Sequence, residues 1–144
     1  MVQKAIEWWT WWHQGFFLDL SQELCEAIRV RVRYDTKDEN GKTRRERNED
    51  FDQDNLTPEI NIPEHGEYLI EWYFELSNKL LRVSDGVCLP IPPSEFLAWV
   101  TLTGNVVRPS EYDILSEMDQ AFCAEMNSEL KDFQDRQKDK ANKK

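Results

Sequence analysis

Two histidines, three cysteines and a run of glutamates are the residues of this chain whose chemistry could reach beyond packing. His13 lies inside "EWWTWWHQGFF" and His65 inside "IPEHGEY", so an imidazole-activated serine or cysteine would have to recruit one of these two. Neither stands in a recognisable nucleophile context. Cys25, Cys88 and Cys123 are far apart with no CxxC pair, which denies zinc its clustered thiolates. "TKDENG" resembles a calcium loop only in a register that puts Thr36 first and Arg47 twelfth, where carboxylates are needed. The five glycines never cluster into a phosphate cradle. The expectation is a non-enzymatic protein with no catalytic residues, no metal ligands and no cofactor.

Two other groups point to binding instead. Glu64, Glu67, Glu71 and Glu75 recur at helical spacing along one face, with no lysine before Lys79. Like charges so placed cost a few tenths of a kcal/mol per pair. They read either as a solvated face, its first acids favoured by the helix dipole, or as a docking strip, centred on Glu67, Glu71 and Glu75, for a basic partner. Paired acids for glycoside hydrolysis are formally present, but nothing around them suggests a sugar cleft. Trp8, Trp9, Trp11 and Trp12 fall within five positions. On a helix Trp8 and Trp12 share one side, Trp9 and Phe16 another, and Trp11 points elsewhere, so no single face absorbs them all. Each buried indole is worth roughly 2 to 3 kcal/mol. Core packing and a partner or self-association plug that includes Phe16 both fit.

The totals narrow the classes. At 144 residues the chain suits one core. The net charge is −10, and residues 51–130 hold 15 of the 28 acids against three bases, a surface that repels nucleic acid and anionic membrane. The basic stretches "RVRVR" and "KTRRER" are interrupted by Asp35, Asp38, Glu39, Glu46, Glu49 and Asp50, so they read as an exposed strand kept soluble by charge. The odd cysteine count suits free thiols in a reducing compartment. The start "MVQKAIEWW" fits neither a signal peptide nor a spanning helix, because Glu7, His13, Gln14 and Asp19 break the apolar run. The expected partners are therefore proteins, with no nucleic acid and no membrane, and the expected location is cytosolic.

Stepping outward to the elements, "DLSQELCEAI" predicts a short helix with Leu20, Leu24, Ala27 and Ile28 inward and Ser21 as its cap. "IRVRVRY" alternates apolar and basic residues and predicts a strand over Ile28–Tyr34. The Asn40-Gly41 signal allows a short β-hairpin with a return limb at Thr43–Arg47, or a mobile charged loop. Ile60 and Ile62 alternate in an extended lead-in to a helix striped by Leu69, Trp72, Tyr73, Leu76 and Leu80. "VSDGVCLPIPP" reads as a connector because its prolines forbid continuation. A short helix capped by Ser94 and stopped by Gly104 follows. The last helix begins with a capping box of Ser110 and Asp113 and carries Leu115, Met118, Phe122, Met126, Leu130 and Phe133 inward. The fold class is mainly α: a small C-terminal three-helix module, an N-terminal aromatic helix and room for the hairpin. Three segments result: 1–57, the aromatic helix with strand and charged loop; 58–135, the helical module; and 136–144, a disordered tail.

The second segment resembles a known family. "PEINIPEHGEYLIEWYFELS", "SEFLAWVTLTG" and "RPSEYDILSEMDQAF", in that order, are similar to the small tail assembly chaperones of long-tailed, siphovirus-like bacteriophages. The likeness is carried by Pro63, Tyr68, Leu69, Trp72, Phe74, Glu75, Leu76 and Ser77, then Ala98, Trp99, Leu102, Thr103 and Gly104, then Pro109, Glu111, Leu115, Met118, Asp119 and Phe122. It covers about half of the chain and leaves 1–57 unmatched. The resemblance implies a chaperone that transiently holds the tape-measure protein and recruits tail-tube subunits in the host cytoplasm, and that is absent from the mature virion. It also implies that short and frameshift-extended forms occur. A small acidic inhibitor, or nucleic-acid mimic acting on a host protein, is the alternative that the charge permits.

Overall fold

The feature that organises the structure is an apolar stripe at four-residue spacing: Leu20, Leu24, Ile28 and Val32, all buried. The computed structural model describes the backbone of residues 2–143 and the side chains of residues 14–143. Within it the stripe lies on α1 (Val2–Asp35), one helix of 34 residues. The strand expected over Ile28–Tyr34 is thus overturned. Alternation over seven residues leaves Ile28 and Val32 four apart, so the same letters continue the helical register that Leu20 and Leu24 begin. Arg29 and Arg33 face solvent, and the Arg31 guanidinium lies 4.3 Å from the Phe74 ring centroid. Ser21, expected as a cap, is a buried interior position whose hydroxyl donates to Glu117.

The turn at Asn40-Gly41 forms, with Gly41 N–H donating to the Asp38 carbonyl at 3.0 Å, but it leads into a helix instead of a return strand. Thr43 caps α2 (Arg44–Asp50): its hydroxyl accepts from Glu46 N–H at 3.1 Å, and the Glu46 carboxylate accepts from Thr43 N–H at 2.8 Å. This reciprocal box outweighs any extended pairing that so polar a limb could make. Extended chain then brings half-buried Ile60 and Ile62 against the core before α3 (Glu67–Ser77), which buries Leu69, Ile70, Tyr73 and Leu76.

The small hairpin of the structure stands later, where the sequence predicted only a connector. β1 (Val83–Ser84) and β2 (Val87–Cys88) pair antiparallel, Val83 with Cys88 and Ser84 with Val87. Both turn residues, Asp85 and Gly86, have positive φ, the backbone that an Asp-Gly hairpin turn demands. A Cβ on Gly86 would also sit 2.6 Å from the Gln134 side chain. The chain continues into α4 (Pro93–Thr103), with Pro93 at its first position and Gly104 in the left-handed conformation closing it; Ser94 makes no cap. α5 (Pro109–Asn142) is capped at Arg108, two residues before the expected Ser110, with Glu111 accepting from Arg108 N–H at 2.9 Å. It remains helical to Asn142, well into the segment expected as a disordered tail. There Arg136 and Lys140 pair with Glu39 at 3.6 and 3.0 Å.

α1 and α5 make the most extensive interhelical contact. Ser21 meets Glu117, and Arg44, bonded to the Arg33 carbonyl, meets Glu129 at 2.8 Å. The two helices therefore run in the same direction, which obliges a long crossover, and residues 36–108 supply it. Parallel neighbours cannot be joined by a tight turn. Leu69 and Tyr73 of α3, Trp99 of α4, and Leu115 and Met118 of α5 join the α1 stripe in one core.

Between α3, the hairpin and α5 that core contains an ion pair. Arg82 and Asp119 pair with side chains only 10% and 6% exposed. Asp119 also accepts from Tyr73 Oη at 3.0 Å and from Ile91 N–H at 2.8 Å. Arg82 further donates to Ser77 Oγ, to Tyr73 Oη at 3.3 Å and to the Leu89 carbonyl at 3.2 Å, and it stacks over Phe122 at 4.6 Å. Arg82→Ala leaves Asp119 buried without its charge partner and is expected to cost about 3 to 5 kcal/mol in urea unfolding. Arg29→Ala, which breaks an exposed pair with Glu26, is expected to cost less than about 1 kcal/mol. Equal effects at the two positions would contradict the assignment.

Candidate protein-binding surface

α4 is apolar on more sides than the core can cover. Phe96 and Trp99 turn inward and are buried, while Leu97 remains 68% exposed and Leu102 86%. Val106, in the link to α5, is 84% exposed. Between α4 and the start of α5 opens a cleft of about 280 Å³ lined by Phe96, Leu97, Trp99, Val100, Val107 and Tyr112. Its floor is held by edge-to-face aromatics: Phe96 on Tyr112 at 5.3 Å and Trp99 on Trp72 at 5.7 Å, with Trp72 in turn on Tyr68 at 5.0 Å. The buried Trp99 Nε1–H finds no acceptor among the described residues. A donor left so is costly, and an incoming carbonyl within reach would relieve it.

The base of the cleft is tied to α5 by polar contacts. Tyr68 Oη donates to Glu111 Oε1 at 3.0 Å, while Glu111 Oε2 caps the first turn of α5. Burial, then the neighbouring Glu111 carboxylate, pushes the Tyr68 phenol up to about 12. Tyr73 is shifted in the same direction, first by burial and then by Asp119.

A second hollow, of about 330 Å³, lies where α2 and the loop after α1 meet α5, with Met126, Leu130 and Phe133 on its walls. Three of its four rim cations are already matched: Arg44 with Glu129, Arg47 with Asp38, and Arg136 with Glu39. That matching leaves little field for an anion.

The sequence-predicted residues divide accordingly. Glu67, Glu71 and Glu75 are exposed together on α3, and Glu75 pairs loosely with Lys79 at 3.7 Å. Phe16 is partly exposed and stacks on the exposed His65 at 5.0 Å, near the point where α1 leaves the core: Leu18 and Asp19 face solvent and Leu20 is buried. The side chains of Trp8, Trp9, Trp11, Trp12 and His13 lie outside the described residues, although the α1 backbone runs through them. The positions quoted for the resemblance divide as well: Leu76, Trp99, Leu115, Met118 and Phe122 are core, Asp119 is the buried acceptor, Gly104 the helix stop and Pro109 the first residue of α5, whereas Glu75, Ala98 and Leu102 are exposed. Leu97 and Val106 were missed as surface candidates; the signal was apolar residues on more than one side of "EFLAWVTLT" and in "NVVRP". Cys88 and Cys123, distant in sequence, are brought into contact.

Among the described residues no three His, Cys, Asp or Glu side chains gather as a metal would need, and no helix is long and apolar enough to cross a membrane. Comparison with known protein families, with curated proteins and with solved structures found no match to this chain.

The Tyr68 contact generates a pH prediction. Its folded value near 12 exceeds the ordinary 10. Its contribution is therefore complete below pH 10 and is lost as pH rises from 10 to 12, because the unfolded chain ionises first. Urea midpoints across that window, followed beside phenolate absorbance, should show a fall that Tyr68→Phe reduces. An identical alkaline loss in Tyr68→Phe would refute the assignment.

Proposed function

We propose that this protein is a non-enzymatic phage tail assembly chaperone that transiently covers an apolar segment of a tape-measure protein, and hands it on to tail-tube subunits, in the host cytoplasm. The observation that carries the reading is the α4 cleft, which Leu97 lines, together with the exposed Leu102 on the same helix and the exposed Val106 in the link after it. Contiguous exposed apolar surface on a small protein marks a site of interaction, and an acidic body keeps such a surface soluble. The exposed acids of α3 would steer a basic partner towards the cleft. The ordered series of residues in α3, α4 and α5 adds the resemblance to this class. Trp8, Trp9, Trp11, Trp12 and Phe16 form a second candidate grip in the same reading, for the partner or for another copy of the chain. An acidic mimic acting on a host protein would present carboxylates over a continuous surface and would have no use for the cleft.

Co-expression with the tape-measure protein tests the proposal. The wild-type chain should raise that protein's soluble yield and be recovered with it. Leu97→Asp, Leu102→Asp and Val106→Asp should each reduce recovery at least tenfold, a loss of about 1.4 kcal/mol, while changing stability by no more than about 0.5 kcal/mol. Full recovery with all three replaced would move the site away from α4. Replacing Glu67, Glu71 and Glu75 with glutamine should slow association and flatten its salt dependence while leaving dissociation nearly unchanged.

A further inference from the structure

Two thiols that no part of the proposed function uses stand against each other where the hairpin meets α5. Cys88 Sγ lies 3.1 Å from Cys123 Sγ. A disulfide needs about 2.0 Å, so closure asks for about 1 Å of movement. The two backbones are already held in place: Cys88 N–H donates to Asn127 Oδ1 at 2.8 Å, one turn beyond Cys123 on α5, and β2 is paired to β1. The partners differ in access, Cys88 being buried and Cys123 half-buried. They also differ in electrostatics. The Arg82 guanidinium lies 3.6 Å from Cys123 Sγ. Burial, and then the neighbouring Cys123, pushes the Cys88 thiol up to about 12. Cys25 sits apart on α1, buried, with its thiol shifted upward chiefly by burial.

We propose that Cys88 and Cys123 form a redox modification site, a dithiol oxidised to an intramolecular disulfide by a small-molecule disulfide of the glutathione type. Cys123 thiolate attacks one sulfur of the oxidant RS–SR, forming Cys123–S–SR and releasing RS⁻. Cys88 then gives its proton to solvent and attacks Cys123 Sγ, forming the Cys88–Cys123 bond and releasing the second RS⁻. Two protein thiols are oxidised and one disulfide is reduced to two thiols, so atoms and electrons balance. Proximity makes the second step effectively unimolecular, which disfavours a lasting mixed disulfide. The product staples the hairpin, and hence the lead into α4, to α5.

The full-length protein, reduced and then incubated with oxidised glutathione, provides the test. Thiols titrated after denaturation should fall from three to one, the peptide map should contain a Cys88–Cys123 crosslink, and the melting temperature should rise by several degrees and return on reduction. Cys25→Ser should still form the crosslink, while Cys88→Ser should stop at glutathione bound to Cys123. A lasting glutathione adduct on wild-type Cys123, a crosslink through Cys25, a disulfide-linked dimer or three unreacted thiols would each overturn the proposal. The wild-type map alone decides it, whether or not a cysteine variant folds.

Discussion

A guanidinium and a carboxylate buried together between α3, the hairpin and α5 constrain the segments that surround them. Removing Arg82 and Asp119 from water carries a desolvation cost of several kcal/mol per ion, tolerable only because nearly every donor and acceptor is used. Asp119 receives Arg82, Tyr73 and the Ile91 amide, while Arg82 serves Ser77, Tyr73 and Leu89 besides its counter-ion. These groups come from α3, from the chain on both sides of the hairpin and from α5. Their geometry is satisfied only when all of these segments occupy one arrangement. An apolar core of similar volume could be as stable, but it would tolerate sliding of the connector along α5. The pair therefore sets register more than it adds stability.

That register determines what α4 exposes. The connector fixed by Ile91 N–H and the Leu89 carbonyl leads within two residues into Pro93, whose ring presets the first helical φ. Phe96 and Trp99 are thereby directed inward, and Leu97 and Leu102, at other angles on the same helix, outward. A helix anchored at both ends, by the connector and by the Gly104 stop, loses little freedom when something docks on it. Preorganisation of this kind raises affinity without adding contacts.

How much of this was legible in the sequence depends on the distance over which each signal acts. α3, α4 and α5 were readable because their apolar stripes and stop signals are local. The mainly helical class with one small hairpin followed, yet the hairpin was looked for at Asn40-Gly41 and stands at Asp85-Gly86. Both dipeptides make turns; only the second has apolar residues on each side that can pair over a covered face, Val83 and Cys88. The first is followed by Thr43 and Glu46, a capping box whose polar residues carry no alternation and start a helix. In α1 the window was too short: seven residues of period two do not contradict a helix when the four-residue stripe upstream continues through them. Long-range chemistry was invisible for a different reason. Arg82 and Asp119 are 37 residues apart, and Cys88 and Cys123 are 35 apart. No spacing rule links them, because the crossover between parallel α1 and α5 is what brings them together.

The same crossover accounts for the coexistence of a locked interior and an uncovered surface. Parallel packing of α1 and α5 consumes the best stripe of each helix, Leu20 to Val32 on one and Ile114 to Phe122 on the other. α3 fills the remaining side and places Tyr73 against Phe122. α4 is then the outermost layer, with one face on Trp72 and nothing over the other among the described residues. Its sequence remains apolar on both faces, so the uncovered side follows from topology and composition together. Trp99 concentrates that conflict: its ring is held by Trp72 and buried, while its Nε1–H has no acceptor among the described residues. Burying an indole is favourable and burying its unpaired donor is not. A ligand that bound the folded chain and not the unfolded one would stabilise it by linkage.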